Sequence, residues 1–402
     1  MRLIVIPKLA RALLLLAFAV AVLVTASCAN PEWQGWSGIT YYEGSLFLGS
    51  MDGKVLAINP DSRKDNLPFP GTGEWAFPFP TLGAARPVCG PTCASPAPIA
   101  NVYATPLVAG QLVYVATCSG ENGRILAINR SAPGYAEGTP MRSKGEWVYP
   151  GGVESIGAIV GSPVLYDGTL YFGSSNGKVY ALDAMYGEKR WVFDTGGKIW
   201  TSPAIGNDVL YVSNYRHKLY ALSVRDGTLL WEKEFPASVS SSPVIAGDRL
   251  FFGTFDCYLY ALDAASGDVK WKFKGGNWFW ATPVVQGGAV YAACLDNKVY
   301  ALKADTPIER GEALWEFTCD SPVIAAPVLV GDWLVVSSKS GKVYVLRVET
   351  GSLEKMVAIG AQIMAPLCAV DNTVYVHARD RCIYAIDVER GEVVWKFSLV
   401  VK

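Results

Sequence analysis

The sequence has few of the residues that enzymes use most often for acid–base chemistry and metal binding. It contains two histidines, His217 and His377, in 402 residues. A zinc site of the common histidine and cysteine type, or a Ser-His-Asp triad, would have to be built around one of them. Both fall in predicted turns between strands, where we expect a histidine to be solvated. We therefore predict no catalytic residue and no metal site.

Cysteine pairs of the kinds that accompany redox cofactors are also missing. No two cysteines are adjacent, and Cys89-Gly-Pro-Thr-Cys93 has neither the spacing nor the following histidine of a haem attachment site. Cys89 and Cys93 could instead form a local disulfide, since an even number of cysteines in an exported chain permits such bonds. Six further cysteines could be buried free thiols: Cys118, Cys257, Cys294, Cys319, Cys368 and Cys382.

Strong charge of either sign is absent as well. The chain has 35 Lys and Arg against 36 Asp and Glu, for a formal net charge of −1. No basic face is implied, so we predict no nucleic-acid partner. Helical periodicity is missing from the mature chain. The 40 glycines, 24 prolines and 12% aromatic residues favour β-strands joined by tight turns.

The amino terminus has the pattern of a targeting segment. Arg2, Lys8 and Arg11 precede an apolar run over residues 12–24, which is the order of charge and hydrophobicity in a signal peptide. The following Thr-Ala-Ser before Cys28 resembles the lipobox of bacterial lipoproteins, which are cut just before the cysteine. We therefore predict a lipoprotein signal peptide over residues 1–27, lipidation of Cys28 and a tether over residues 28–35.

Two other interpretations of this segment stay open. The signal peptide could be cleaved in the ordinary way, which would leave Cys28 as an incidental thiol, or it could remain as an uncleaved membrane anchor. A lipidated Cys28 with two or three acyl chains would hold a soluble domain stably on a membrane. The predicted location is the outer membrane or the outer face of the cell membrane.

A repeat of about 40 residues dominates the rest of the sequence. Prolines recur in steps of 40 from Pro163 to Pro283, and tyrosines recur in the same steps from Tyr180 to Tyr300. Tryptophans follow the same repeat, except in the seventh copy, where we align Met356 with them. Eight copies with four short strands each are typical of propeller blades. The sequence thus predicts an all-β, eight-bladed β-propeller of four-stranded antiparallel blades, spanning residues 36–402 as one domain.

Each copy also carries residues with predictable structural roles. The recurring tryptophans are expected to pack between blades, because a large flat side chain buries much area there. Asp183, Asp263 and Asp387 recur at one repeat position and are expected to cap turns rather than to act as catalytic acids. In the third copy the predicted strands cover residues 162–165, 170–173, 178–184 and 190–193.

The repeat resembles a known family. Segments 180–191 and 260–271, in which Tyr-Ala-Leu-Asp is followed by glycine and then tryptophan, resemble the pyrroloquinoline quinone (PQQ) repeat. The resemblance implies one of two groups: quinoprotein dehydrogenases, which bind PQQ and calcium, or non-enzymatic propellers such as the BamB-like lipoproteins of the outer-membrane assembly machinery. The dehydrogenases commonly have a pair of adjacent cysteines and large inserts. This sequence has no adjacent cysteines, and its third to eighth repeats have almost no inserts, which favours the non-enzymatic group. A shared fold does not settle function.

The repeat also predicts a ring of apolar residues at one mouth of the central channel. These residues stand two places before the Ser, Thr or Ala that precedes each repeat proline. The alternative is that they pack beneath the long insert over residues 77–104. An exposed apolar ring would suit a protein partner. The candidate partner-binding residues are Trp36, Tyr103, Trp200, Trp280, Ile324 and Ile363, to which Trp278 could add.

These patterns lead to one functional prediction and two alternatives. The prediction is a non-enzymatic, membrane-tethered scaffold that binds a protein partner at the membrane surface and needs no cofactor. The first alternative is a PQQ-dependent dehydrogenase with calcium. The second is a cell-surface glycan binder that uses the same aromatic ring.

Overall fold

Short strands joined by tight turns make up nearly all of the regular structure. The computed structural model describes residues 37–50, 53–65, 67–78, 101–119, 122–131, 146–151, 156–305 and 313–400. Most of the predicted inserts 77–104 and 130–144 lies outside these ranges, as do residues 1–36. The single helix of the described residues is α1 (Pro60–Lys64), a short element within the first repeat.

The strands fall into consecutive groups of four. Those of the first four groups are β1 (Ile39–Tyr42), β2 (Ser45–Gly49), β3 (Lys54–Ile58), β4 (Trp75–Pro78), β5 (Leu107–Ala109), β6 (Leu112–Ser119), β7 (Asn122–Asn129), β8 (Trp147–Tyr149), β9 (Val164–Tyr166), β10 (Thr169–Gly173), β11 (Lys178–Asp183), β12 (Lys189–Asp194), β13 (Ala204–Gly206), β14 (Val209–Ser213), β15 (Lys218–Ser223) and β16 (Leu229–Glu234). Those of the last four groups are β17 (Val244–Ala246), β18 (Arg249–Gly253), β19 (Tyr258–Asp263), β20 (Val269–Lys274), β21 (Val284–Gln286), β22 (Ala289–Ala293), β23 (Lys298–Lys303), β24 (Trp315–Thr318), β25 (Val328–Val330), β26 (Trp333–Ser337), β27 (Lys342–Arg347), β28 (Leu353–Ala358), β29 (Cys368–Val370), β30 (Thr373–Ala378), β31 (Cys382–Asp387) and β32 (Glu392–Ser398).

Each group of four consecutive strands forms one antiparallel sheet, which we number as blades one to eight in chain order. First strands of neighbouring blades contact one another at most of the interfaces, and β1 of blade one contacts β29 of blade eight. The first strands therefore surround the axis and the ring closes. The predicted eight-bladed propeller is confirmed, and the last blade supplies all four of its own strands.

The turns of blade three show why the repeat folds in this way. Asp167 and Gly168 connect β9 to β10 with φ values of 45° and 66°, the positive-φ pair that a tight two-residue hairpin requires. β10 and β11 are then buried almost throughout, whereas the outer strand β12 is mostly exposed. A blade whose middle strands are apolar on both faces must be covered by a neighbour on each side.

The recurring tryptophans of blades one to six each donate a hydrogen bond to the next blade. Trp271 pairs in register with Ala261 of its own blade, and its indole Nε1 donates a hydrogen bond to the carbonyl of Ala304 in the next blade at 3.0 Å. The predicted role between blades is confirmed. Equivalent bonds to the following blade come from Trp75, Trp147, Trp191, Trp231 and Trp315, at 2.6, 3.0, 3.0, 3.1 and 2.9 Å.

Blade seven has no tryptophan in its outer strand, and the repeat alignment identified the wrong residue at the tryptophan position. In the other blades the register pairs the tryptophan with an alanine of the third strand, but in blade seven it pairs Val345 with Lys355. Met356, which the repeat had suggested, is 47% exposed. The aliphatic part of Lys355 lies against Gly391 of blade eight, where Trp315 lies against Gly351 at the preceding interface. Lysine thus takes the tryptophan position at the interface of blades seven and eight.

The aspartates cap turns as predicted. Asp263 accepts hydrogen bonds from the backbone N–H groups of Ala265 and Ser266, both at 3.0 Å, and pairs with Lys270 at 3.0 Å. These backbone bonds and the ion pair lower the pKa of Asp263. Its carboxylate therefore serves to hold the turn between the third and fourth strands.

The two histidines differ from each other, and the prediction is right for only one of them. His217 lies exposed in the turn between β14 and β15, with φ 65°. His377 instead lies on β30 and is buried, with 2% of its surface exposed. The prediction failed because His377 is in register with Ser337 of blade seven, which is itself the last residue of a second strand, so the position lies inside the sheet and not in the turn.

No disulfide is formed among the cysteines that the structure describes. Cys294, Cys319 and Cys382 are buried free thiols, whereas Cys118, Cys257 and Cys368 are partly exposed free thiols. Cys89 and Cys93 lie outside the described residues, so their disulfide stays a prediction. Residues 35–402 form one compact unit. The described residues include no helix of the length and apolarity that a membrane crossing needs.

Candidate functional site

One face of the ring is built from two kinds of loop. The connections that lead from one blade to the next bond through their backbone to the turns between the second and third strands. Tyr215 N–H donates to the Lys198 carbonyl at 2.8 Å, and Phe255 and Leu295 repeat this bond with Ser238 and Trp278, both at 3.0 Å. We call this side the connection face. The predicted channel-mouth residues lie on it.

The connections present alternate residues inward and outward. Ile199 and Phe279 are fully buried between blades, whereas the next residues, Trp200 and Trp280, are 42% and 41% exposed. Tyr103 and Ile324 occupy the same position in their blades and are half-buried. Four of the six predicted mouth residues thus share one structural position. Trp36 lies outside the described residues.

Ile363 does not belong to this set. It is fully buried and packs in the core between blades seven and eight. Val330 and Val370 are equivalent, since each is the last residue of the first strand in its blade. Ile324 lies six positions before Val330, and the residue six positions before Val370 is Met364. The proline of this repeat stands one place early relative to the strand, so alignment on the proline shifted the prediction by one residue. Met364, which is half-buried, is the true equivalent.

Five aromatic side chains from blades four to six form a continuous group on the connection face. Trp200 contacts Tyr215 with 4.6 Å between ring centroids, and Tyr215 contacts Phe255 at 6.1 Å. Phe255 in turn contacts Trp278 at 4.9 Å and Trp280 at 5.8 Å. We call these five residues the aromatic cluster. Its three tryptophans are each about two-fifths exposed, at 41% to 42%.

Sequence reasoning missed Tyr215 and Phe255. Both stand two places after the end of the second strand, 40 residues apart, at a position occupied by Ser175 in blade three and Leu295 in blade six. The same repeat register that revealed the mouth residues could have found them. Tyr215 is largely enclosed by its neighbours, and this burial raises its pKa to about 12. It therefore supports the exposed tryptophans as a neutral aromatic ring.

A set of hydroxyl groups holds the connections in place. Ser162 Oγ accepts from the Thr105 N–H at 2.9 Å, Ser202 Oγ accepts from the Ser162 N–H at 2.8 Å, and Ser242 Oγ accepts from the Ser202 N–H at 2.9 Å. Each bond joins one blade to the next. The serine or threonine before each repeat proline thus orients the mouth position of blades two to five. Blade seven has Ala326 there, which has no hydroxyl.

Charge is distributed unevenly around the aromatic cluster. Lys198 and Arg216 are exposed beside Trp200 and Tyr215. The carboxylates near the other end are engaged by buried tyrosines, since Asp256 accepts from Tyr260 Oη at 3.1 Å and Asp296 accepts from Tyr300 Oη at 2.6 Å. Burial, followed by these carboxylates, raises the pKa of both tyrosines. The blade-four end of the aromatic cluster is therefore its basic end.

A polar cleft of about 520 Å³ lies on the opposite face, between blades three and four. Tyr166 and Asp208 bridge it through a hydrogen bond of 2.5 Å, and Arg190, Arg225 and Asp226 complete its charged lining. In the part of the chain that the structure describes, no three His, Cys, Asp or Glu side chains come together as a metal site.

A family model described as "Outer membrane protein assembly factor BamB" matches residues 93–192, 146–256, 192–307 and 307–401. These overlapping matches cover well over half of the 402 residues. The chain belongs to this family. Comparison with curated proteins finds no match. The resemblance seen in the repeat is thereby confirmed, and membership supports a non-enzymatic, protein-binding propeller.

Solved structures show the same fold at low sequence identity. The crystal structure of BamB from Moraxella catarrhalis is 16% identical, with a TM-score of 0.60 over 73% of this chain and 87% of that one. The computationally designed Ika8 protein is 12% identical, with a TM-score of 0.63 over 91% of this chain and 98% of that one. At such identities the likeness concerns the fold alone, so the site has to be argued from the residues of this chain.

Proposed function

We propose that this protein is a non-enzymatic scaffold, tethered to a membrane through lipid on Cys28, whose aromatic cluster holds a segment of a partner protein. The observation that carries the proposal is the exposure of three tryptophans in one continuous aromatic group. Such residues dominate the centres of protein interfaces. Membership of the family described as outer membrane protein assembly factor BamB also supports a protein-binding role.

The size of the aromatic cluster suits a partner contact. Burying the exposed part of three indoles would remove on the order of 250 Å² of apolar surface from water, a gross gain of about 6 kcal/mol before the costs of association. The rings are already held against one another and by the backbone bonds of the connection face. Little side-chain freedom would therefore be lost when a partner binds.

The charges beside the aromatic cluster indicate the chemistry of the partner segment. Lys198 and Arg216 border its blade-four end, whereas Asp256 and Asp296 are already engaged by tyrosines. A segment with apolar or aromatic anchors and acidic residues on one side of them would match this surface. Exposed charge pairs of this kind mainly steer association, so added salt should slow capture.

The location belongs to the same proposal. The amino-terminal segment with its lipobox-like Thr-Ala-Ser before Cys28 supports export and lipidation, and the tether over residues 28–35 would link the lipid to the ring. The outer membrane is the proposed site, in line with the description of the family.

The aromatic cluster can be tested by partner capture in the native membrane. Wild type and the Trp200→Ala, Trp280→Ala double variant would be crosslinked in cells, purified and compared by mass spectrometry. Partners found with wild type should be reduced at least about tenfold in the variant, since truncation of hot-spot residues commonly costs 2 kcal/mol or more. Tyr186→Ala is the matched control, because Tyr186 is an exposed aromatic residue on the opposite face. An unchanged partner list in a folded double variant would contradict the proposal.

A further inference from the structure

The interface between blades eight and one differs from the other blade interfaces at one position. The residue near the end of each second strand is small in blades one to seven and faces a larger side chain of the next blade. A Cβ built at Gly49 would overlap Val102, one at Gly173 would overlap Ile199, and one at Gly253 would overlap Phe279. The remaining small residues in this register are Ala116, Ser213, Ala293 and Ser337.

In blade eight the same register position is occupied by His377, which pairs with Ile383 of the third strand. The facing residue in each blade is the one before the mouth position. In blade one that residue is Gly35 by sequence, and it lies outside the described residues. At this interface the residue on the second strand is therefore large, whereas it is small in blades one to seven.

His377 makes a specific contact across this interface. Its Nδ1 lies 2.9 Å from the Ser37 carbonyl of blade one. A carbonyl can only accept, so Nδ1 carries the proton and donates. Its Nε2 is buried and has no hydrogen-bond partner among the described residues. Ser37 Oγ donates in turn to the Ala104 carbonyl of blade two at 3.0 Å, so the contact connects blades eight, one and two.

We propose that His377 is the ring-closing residue and that closure requires its neutral form, so that acidification loosens the interface between blades eight and one. A second proton would have to sit on Nε2, where it would be a buried charge with no acceptor among the described residues. Blades eight and one meet here without a shared strand, so contacts between their side chains provide the closure.

The groups around the imidazole oppose its protonation overall. Burial of the ring disfavours the charged form and lowers the pKa of His377. The Ser37 carbonyl and the carboxylate of Asp380 act the other way and are smaller influences. Asp380 is itself held by Tyr384 at 2.5 Å and Lys396 at 3.0 Å. From blade one, the buried Arg63 lies over Phe397 of blade eight, at 4.8 Å from the ring centroid, and is paired with Glu74 at 2.7 Å.

The direction of the pH effect follows from this difference. In the unfolded chain a histidine takes up its proton near pH 6.5, whereas in the ring His377 resists it. The unfolded or opened state then binds more protons below that pH. The contribution of His377 to closure is complete above about pH 6.5 and declines as the pH falls.

The first test uses the wild-type protein labelled with ¹⁵N-histidine. With only two histidines in the chain, the ring nitrogens can be followed by NMR, and the His217→Asn variant assigns the signals. We expect His377 to be the neutral Nδ1–H tautomer and to titrate below the ordinary histidine value of about 6.5. An Nε2–H tautomer, or titration at or above that value, would overturn the proposal.

The second test measures hydrogen exchange at pH 7.5 and pH 5.5, corrected for the intrinsic effect of pH. Exchange of β1, β29 and β30 in wild type should rise by up to about tenfold at the lower pH, and that of blades four to six should not. In His377→Asn, whose amide can still donate to Ser37 but cannot be protonated, the rise should be lost. His217→Asn should behave as wild type. A rise that is uniform over all blades, or that persists in His377→Asn, would contradict the proposal.

Discussion

Lys355 gives the sharpest test of how the blades are held together. It occupies the position at which the other blades have tryptophan, beside Gly391. The repeat equivalent of Ala304 in blade eight is Val388, whose carbonyl is the expected acceptor for an indole at this position. We predict that Lys355→Trp stabilises the protein, because the indole would complete the blade-seven interface in the way that Trp271 completes its own. Met356→Trp, one residue along, should have little effect since Met356 is exposed.

The size of the effect can be worked out from the other interfaces. The Nε1 donor adds one hydrogen bond of about 1 kcal/mol. Replacing the lysine stem by a ring that is buried on both sides adds roughly another 1 kcal/mol of apolar burial. We therefore expect the free energy of unfolding to rise by about 2 kcal/mol. The reverse change, Trp271→Lys, should lower it by about 3 kcal/mol, somewhat less than a full truncation of tryptophan.

The measurement is urea unfolding followed by far-ultraviolet circular dichroism, which does not depend on tryptophan fluorescence and so compares all variants equally. Hydrogen exchange of β28 and of the turn at Gly391 would locate the change. If Lys355→Trp is no more stable than wild type while Met356→Trp is, the register of β28 and the reasoning about the interface are both wrong.

Three further predictions concern the indole bond, the lipid and the cofactor. Trp271→Phe should lower the free energy of unfolding by about 1 to 2 kcal/mol, because the ring is largely retained but the bond to Ala304 is lost; a loss below 0.3 kcal/mol in urea unfolding would show that the bond is not needed. Cys28→Ala should move the protein from the membrane to the soluble fraction and abolish labelling by a fatty-acid analogue, and a variant that stays membrane-bound would point to an uncleaved anchor. Purified protein supplied with PQQ and calcium should not reduce a redox dye with alcohols or sugars, and saturable turnover would establish the dehydrogenase alternative.

Most of the architecture could be predicted because its determinants are local and repeated. Glycine and aspartate at the hairpins, apolar middle strands and a tryptophan in the outer strand of every blade except blade seven recur with a period of about 40, and each has a direct structural consequence. In blade three the predicted strand at residues 170–173 differs from β10 (Thr169–Gly173) by one residue. Such agreement is expected where turn chemistry sets the ends of the strands.

The errors share a different cause. Ile363 and Met356 were each placed by their distance from a recurring residue rather than by strand pairing, and His377 was placed in a turn although its position belongs to the second strand. A proline one place early relative to the strand moves the predicted side chain to the other face, because side chains alternate along a strand. The aromatic cluster was predicted in part, since Trp200 and Trp280 share a repeat position. The contribution of Tyr215 and Phe255 depends on contacts between different loops.

Every sheet is made from four consecutive strands, including the one that contains the end of the chain. The ring therefore has no privileged starting point. New termini could be opened at any other connection between blades, with the old ends joined by a linker, without dividing a sheet. Insertion or removal of one whole repeat would leave each sheet intact but would alter the diameter of the channel, and with it the spacing of the tryptophans around its rim.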